Sequence, residues 1–215
     1  LSMTISITVS AQISKGSVRV NLDTNIVNFN LGSWNPAGPE DWRQQKLEAG
    51  IGNPNVMLGI GVTPADALAI GIKFLIGYDK GSVVFDEEDS SIEEEDVTTD
   101  FDSMKYSHLR WGIAPYLEYA FGAKVIRPFL MLLLGFEGQT DNVTYVTSKY
   151  WDFVLGMGGG IHLFGGPNVS IDITLLLGFS AGGGSIAPEI EDAEVMTFTR
   201  VLFRLSGGLG ISGWF

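Results

Sequence analysis

Nine charged residues, Arg19, Asp23, Lys73, Arg110, Glu118, Arg127, Asp172, Arg200 and Arg204, lie inside stretches that are otherwise apolar. They share one parity with many of the glycines there, among them Gly59, Gly71, Gly112, Gly156, Gly158, Gly160, Gly178, Gly208 and Gly210. Glu118 and Arg127 flank Gly122-Ala123 symmetrically, so a two-residue hairpin would stand them opposite one another as an ion pair. Arg204 and Asp23 lie near the middle of the last and first such stretches, with Asp172 on the stretch before the last, so a second pairing is expected there. Two kinds of chemistry fit these groups. They are structural pairs, because an unpaired buried charge is costly, or they form a polar gate that passes a small solute or ion. Met57, Leu75, Met131, Leu176 and Leu202 share the parity and could instead line a pocket for something apolar.

Enzymatic chemistry has little to stand on. The two histidines, His108 and His162, are too few for a histidine-rich metal site and sit in no nucleophile motif; they read as neutral packing partners. There is no cysteine for a thiolate nucleophile or ligand. Gly156–Gly160 resembles a phosphate loop only until the alternation is seen to run through it with no helix after it. Neither catalysis nor a cofactor nor a metal is therefore expected. The run Asp86-Glu87-Glu88-Asp89 with Glu93-Glu94-Glu95-Asp96 lacks the spacing and turn glycine of a calcium loop, and reads as a solvated acidic loop, with divalent-cation capture as the alternative.

The elements that must position the charges are β-strands. In the last sixteen residues Val201, Phe203, Leu205, Leu209, Ile211 and Phe215 fall on one side and Arg200, Arg204, Ser206, Gly208, Gly210 and Ser212 on the other, a period of two. Eight segments repeat this pattern: residues 17–31, 47–62, 67–78, 106–121, 124–137, 151–164, 168–179 and 197–215. Their connections alternate. Those at 63–66, 122–123 and 165–167 are short, and those at 32–46, 79–105, 138–150 and 180–196 are long. Residues 1–16 alternate weakly and read as a strand-like arm, a ninth strand being the alternative; residues 17–215 form one domain.

Which face meets which solvent follows from volume. The apolar register holds bulky side chains on every segment, such as Leu22, Ile60, Ile72, Ile113, Leu132, Leu155, Ile173 and Phe203, and no charge. The interior of an eight-stranded barrel is only just wide enough for side chains to fill, so these residues cannot all point inward. Inverted, the set fits: bulky residues meet lipid and glycines make room inside for charged groups. An arginine on the lipid side would cost about 2 to 4 kcal/mol at the midplane. No apolar run approaches the ~20 residues of a membrane helix, so a chain of 215 residues with 45% hydrophobic content is expected to enter a bilayer only as a closed barrel. Tyr78, Tyr106, Trp151, Phe153, Phe179 and Phe198 near the long-loop ends, and Tyr119, Phe121 and Phe215 near the short-turn ends, suggest two aromatic girdles.

The net charge of −12 is local. Residues 79–105 hold eleven acids and two lysines, and so −9 of it. With no basic stripe, nucleic acid is not an expected partner.

The stretch Ile113-Ala-Pro-Tyr-Leu-Glu-Tyr-Ala-Phe121, a short turn and then Arg127-Pro-Phe-Leu resembles the small bacterial outer-membrane β-barrel superfamily of OmpA, OmpX and OmpW type. So do Val62-Thr-Pro-Ala-Asp-Ala-Leu-Ala-Ile-Gly-Ile72 and the ending Leu209-Gly-Ile-Ser-Gly-Trp-Phe215. The resemblance implies an all-β, antiparallel, up-and-down transmembrane barrel of eight strands, with short periplasmic turns, long extracellular loops and both barrel ends in the periplasm. It implies that Leu209, Ile211 and Phe215 form a signal read by the barrel-assembly machinery, and that outer-membrane lipid, including lipopolysaccharide, is a partner. Such barrels serve as anchors, adhesins, channels and lipid-modifying enzymes, so activity does not follow from the fold. The expectation is a structural or surface-interaction role with an acidic loop outside the cell; a narrow conduit for ions or small solutes is the alternative.

Overall fold

The computed structural model describes residues 13–36, 44–51, 56–84, 103–122, 124–189 and 194–215. Nine strand segments follow one another: β1 (Val18–Pro36), β2 (Gln44–Ile51), β3 (Val56–Ala65), β4 (Leu68–Val84), β5 (Ser103–Ala120), β6 (Ile126–Val143), β7 (Val146–Phe164), β8 (Val169–Pro188) and β9 (Met196–Trp214). All pairings are antiparallel between neighbours, and β1 also pairs with β9. β3 lies along residues 18–24 of β1 and β2 along residues 27–34, so β2 and β3 together make one stave. The ring therefore has eight staves. The backbone N–H of Val18 donates to the Phe215 carbonyl at 2.7 Å, and that of Phe215 to Val18 at 2.8 Å, closing it at the terminal residue.

β-Branched and aromatic residues dominate the outward positions of these strands, which favours extended backbone. The burial pattern of β3 alternates outward and inward along its length, and β6 does the same from Ile126 to Phe136. That stretch matches the ~9 to 11 residues a tilted strand needs to cross a hydrocarbon layer. In β1 the ladder shifts between Asn25 and Val27, so Ile26 is an extra, bulged residue. Past it Val27, Phe29 and Leu31 turn outward and Asn28 and Asn30 inward, so the bulge keeps apolar residues outside and polar ones inside along this part of β1.

Several expected loops are strand. Residues 138–150 are not a long connection: β6 and β7 run on past the aromatic zone and join through Thr144-Tyr145, with Thr144 at φ +43°. The ladder continues through Thr140, Asn142, Thr147 and Lys149, whose polar outer faces suit water rather than lipid. β1, β4 and β8 likewise extend to Pro36, Val84 and Pro188, shortening the other long connections. The acidic run at 86–96 and the arm at 1–12 lie outside the described residues; Ile13, the last of the alternating arm, is buried.

On the strands whose side chains are described the membrane-facing stretch is apolar, and the expected outward residues Leu22, Ile60, Ile72, Leu132, Leu155 and Phe203 are all exposed. Trp111, Trp151, Phe153, Phe179 and Tyr78 form an outward band near the loop end. Phe198 and Tyr106 do not join it, because they carry the lumen parity of Arg200 and His108; Phe198 is buried. The interior is sealed at the turn end by Ile13, Ala69, Ala120, Tyr116, Phe129, Phe164 and Trp214.

Candidate functional site

Inside the ring the lumen charges segregate into tiers. The lowest rests on that apolar seal. Arg19 of β1 donates to Glu118 of β5 at 2.6 Å and to Asp172 of β8 at 3.0 Å, and its Nε to Ser212 of β9 at 3.1 Å. His162 of β7 completes the circuit, with Nδ1 2.7 Å from Asp172 and Nε2 3.0 Å from Glu118. Arg19, Glu118, His162 and Asp172 are each at most 2% exposed. A carboxylate only accepts, so two carboxylates facing the two ring nitrogens call for a proton on each. His162 as imidazolium balances the tier, two cations against two anions. Phe129 stacks on His162 at 4.3 Å between centroids, Trp214 meets its edge at 5.7 Å, and the Arg19 guanidinium lies 4.8 Å over Trp214. The tier is a hydrogen-bonded plug set in aromatic rings.

Above it Lys73 of β4 reaches Asp23 at 2.6 Å, and Asn21 donates to the same carboxylate oxygen. Higher again, Arg200 holds Asp152 of β7 with two hydrogen bonds at 2.8 and 2.6 Å. Arg204 links Asp152, at 2.6 Å, to Glu137, which also accepts from Arg110 at 2.9 Å. At the top His108 is 2.9 Å from Asp141, and Gln139 bridges Asp141 and Tyr150. Between the Lys73–Asp23 pair and His108 lies a cavity of about 570 Å³, with Asn28, Asn30 and Arg204 on one wall and Met57, Leu75 and Leu133 among its apolar lining.

All nine expected lumen charges face inward, but two expected pairings are absent. Glu118 and Arg127 do not meet, because the register of the β5–β6 hairpin is not that of a two-residue turn at Gly122-Ala123: Glu118 stands opposite Met131 and Arg127 opposite His162. The shift is even, so every side chain keeps its face while changing its partner. Arg127 instead lays its guanidinium 5.3 Å over Phe164. Arg204 and Asp23 are also apart: Arg204 stands opposite Asn30 and Asp23 opposite Gly210, since the stagger that closes the ring offsets the two ends. Asp172 binds Arg19 and His162 rather than Arg204. Glu137, whose lumen parity the alternation also gives, joins the upper network. Two members were not expected there: Asp152 carries the parity signal but sits at the edge of a segment that proved longer, and His162 is an ionic hub rather than a neutral packer. Met57, Leu75 and Leu202 do line the cavity, and Met131 is buried in the seal. Leu209, Ile211 and Phe215 face outward at the closing edge.

An apolar exterior, a charged, hydrogen-bonded interior and eight antiparallel staves define the small outer-membrane type of β-barrel. Among solved structures, the outer membrane protein OprG from Pseudomonas aeruginosa aligns over 92% of this chain and 96% of its own with a TM-score of 0.50 at 9% identity, a likeness of fold. The N-terminal β-barrel domain of Pseudomonas aeruginosa OprF (TM-score 0.44, 12% identity, 94% and 98% covered) and Neisserial surface protein A (0.43, 13%, 91% and 98%) are also similar. No protein-family model and no curated protein sequence matches the chain.

Proposed function

We propose that this chain is an integral outer-membrane barrel with a non-catalytic structural or surface-interaction role, its barrel ends in the periplasm and its acidic loop outside the cell. One observation carries the reading: the Arg19–Glu118–His162–Asp172 tier and the rings around it fill the lumen at the turn end. Passing a solute there would break several buried, charge-assisted hydrogen bonds together, each worth about 1.5 to 3 kcal/mol. The barrel inserted in planar bilayers is therefore expected to be silent in single-channel recording; a steady ohmic current would overturn the reading.

The cavity of about 570 Å³ favours a second reading, a conduit for ions or small, even apolar, solutes. It would require the floor to open, and its mark would be a current that Arg204→Ala or Arg110→Ala alters.

A further inference from the structure

Several lumen glycines give their space to a neighbour. Asn21 lies over Gly59, the Tyr116 ring lies over Gly71, and the Asn25 carboxamide oxygen comes within 3.3 Å of where a Cβ on Gly208 would sit. Gly156 and Gly178 differ. They stand side by side in a row that runs Leu133, Gly156, Gly178, Arg204, Asn30 from β6 to β9 and on to β1. The nearest atoms to a Cβ added at either lie 3.5 Å away, on Leu133 and on Arg204, so no side chain covers this strip of backbone. Bare backbone of this kind lets another molecule approach closely. The strip borders the cavity of about 570 Å³ above the Lys73–Asp23 pair.

Asn25, Asn28, Asn30 and Ser206 line the same cavity, Asn28 opposite Ser206 and Asn30 opposite Arg204 on the β1–β9 ladder. Among the described residues none of these three carboxamides or the Ser206 hydroxyl has a hydrogen-bond partner. The cations on the wall are each held in an ion pair, Lys73 by Asp23, Arg110 and Arg204 by Glu137, and Arg200 by Asp152. An anion would have to break one of these pairs. A cation would find an unpaired carboxylate only at Asp79, which is exposed at the upper rim beside His108. A wholly apolar solute would strip water from the carboxamides without pairing them.

What fits is a small uncharged molecule with donors and acceptors along its edge and C–H surface on its faces. Carboxamides and hydroxyls offer donors and acceptors together, as sugar hydroxyls require. The glycine strip and Leu133, with Met57, Leu75 and Leu176, give a C–H face somewhere to lie. A pyranose ring has that division, and the cavity falls within the range of about 300 to 1,000 Å³ common to small-molecule pockets. His108 and Asp141 border its upper end, where the outward Thr140 and Asn142 already stand in water.

We propose that the upper lumen is a blind cup that binds an uncharged sugar, its hydroxyls on Asn25, Asn28, Asn30 and Ser206 and one ring face on the Gly156–Gly178 strip. The proposal rests on the structural reading for its sealed floor and adds a ligand to it: the cup holds a solute without passing it.

The full chain is folded in micelles of tetraethylene glycol octyl ether, a detergent without a sugar headgroup, and titrated with methyl glucopyranoside, methyl galactopyranoside or methyl N-acetylglucosaminide while saturation transfer to the sugar protons is followed by NMR. At least one glycoside is expected to bind saturably with a Kd on the order of 1 mM, as its few heavy atoms allow. Affinity is expected to fall at least about tenfold in Asn28→Leu/Asn30→Leu, which leaves sugar hydroxyls unpaired. Gly178→Val, whose added methyls enter the cup, is expected to abolish binding while the heat-dependent gel shift of the folded barrel stays as in the parent. Asn168→Ser, at the exposed turn end, is expected to bind as the parent does. No saturable binding of any glycoside, or binding that both lumen variants retain, would overturn the assignment. Sodium benzoate or toluene bound in its place, and lost in Gly178→Val, would give the cup to the ionic or apolar solute of the conduit reading. A barrel that is silent in planar bilayers and binds no glycoside sinks this inference alone, whereas an ohmic current sinks the structural reading.

Discussion

At Arg19 a single guanidinium joins three strands: it binds Glu118 and Asp172 and lies over Trp214 while almost wholly buried. Removing one partner of such a set leaves the others charged and desolvated, which costs about 3 to 5 kcal/mol. Arg19→Met, which keeps much of the volume, is expected to lose that much in urea unfolding from vesicles, while Lys124→Met at the exposed turn is expected to stay within about 0.5 kcal/mol of the parent. At this scale the parity of the charges was legible from period two alone, and all nine expected residues face the lumen. Their partners were not. Who meets whom depends on hairpin length and ring stagger, which no local pattern records: Glu118 meets Arg19 and His162 across the lumen instead of Arg127 across a hairpin. His162 read as neutral because a lumen-facing histidine outside any motif is most often a packing partner, while its carboxylates come from β5 and β8.

Strands and turns show where local preference was overruled. Ala67, in the turn between β3 and β4, sits at φ +66°, a left-handed conformation that a side chain resists, and its carbonyl and N–H bond to Ala120 and Ile13. Ala67→Gly is expected to raise stability by up to about 1 kcal/mol, net of the backbone freedom glycine adds to the unfolded chain; a loss measured by the same urea titration would show that the turn is not strained. Gly71 marks the opposite case. The Tyr116 ring lies across it, and an added Cβ would come within 2.6 Å of that ring and 2.7 Å of the Gly61 backbone. Gly71→Val is expected to push Tyr116 from the floor and cost about 1 to 3 kcal/mol, seen as a lower temperature for the folded-to-unfolded gel shift. Element existence was readable from alternation, and element length was not. Polar residues such as Thr140, Asn142 and Lys149 look like loop until their ladder partners show a sheet continuing into water.

For the molecule as a whole, one inversion organises everything else: hydrocarbon outside, charge and hydrogen bonds within. The bulky register could not fit inside an eight-stave ring, and the structure places it outside, with Leu132, Leu175 and Phe203 exposed and Arg19, Glu118 and Asp172 buried. The seal at the turn end and the polar ladder at the loop end then give the barrel two unlike ends. Volume and parity make the inversion legible in the sequence, whereas the seal is not, because it is assembled from Ile13, Phe129, Phe164 and Trp214, which are distant in sequence. The chain has no cysteine, so single cysteines along β6 can carry a nitroxide without background. In refolded vesicles, labels at Leu130, Leu132 and Leu134 are expected to collide freely with dissolved oxygen and hardly at all with a water-soluble nickel chelate, while labels at Met131 and Leu133 escape the oxygen-rich lipid, giving a period of two. The opposite phase, or oxygen access that does not alternate between Leu130 and Leu134, would contradict the inversion.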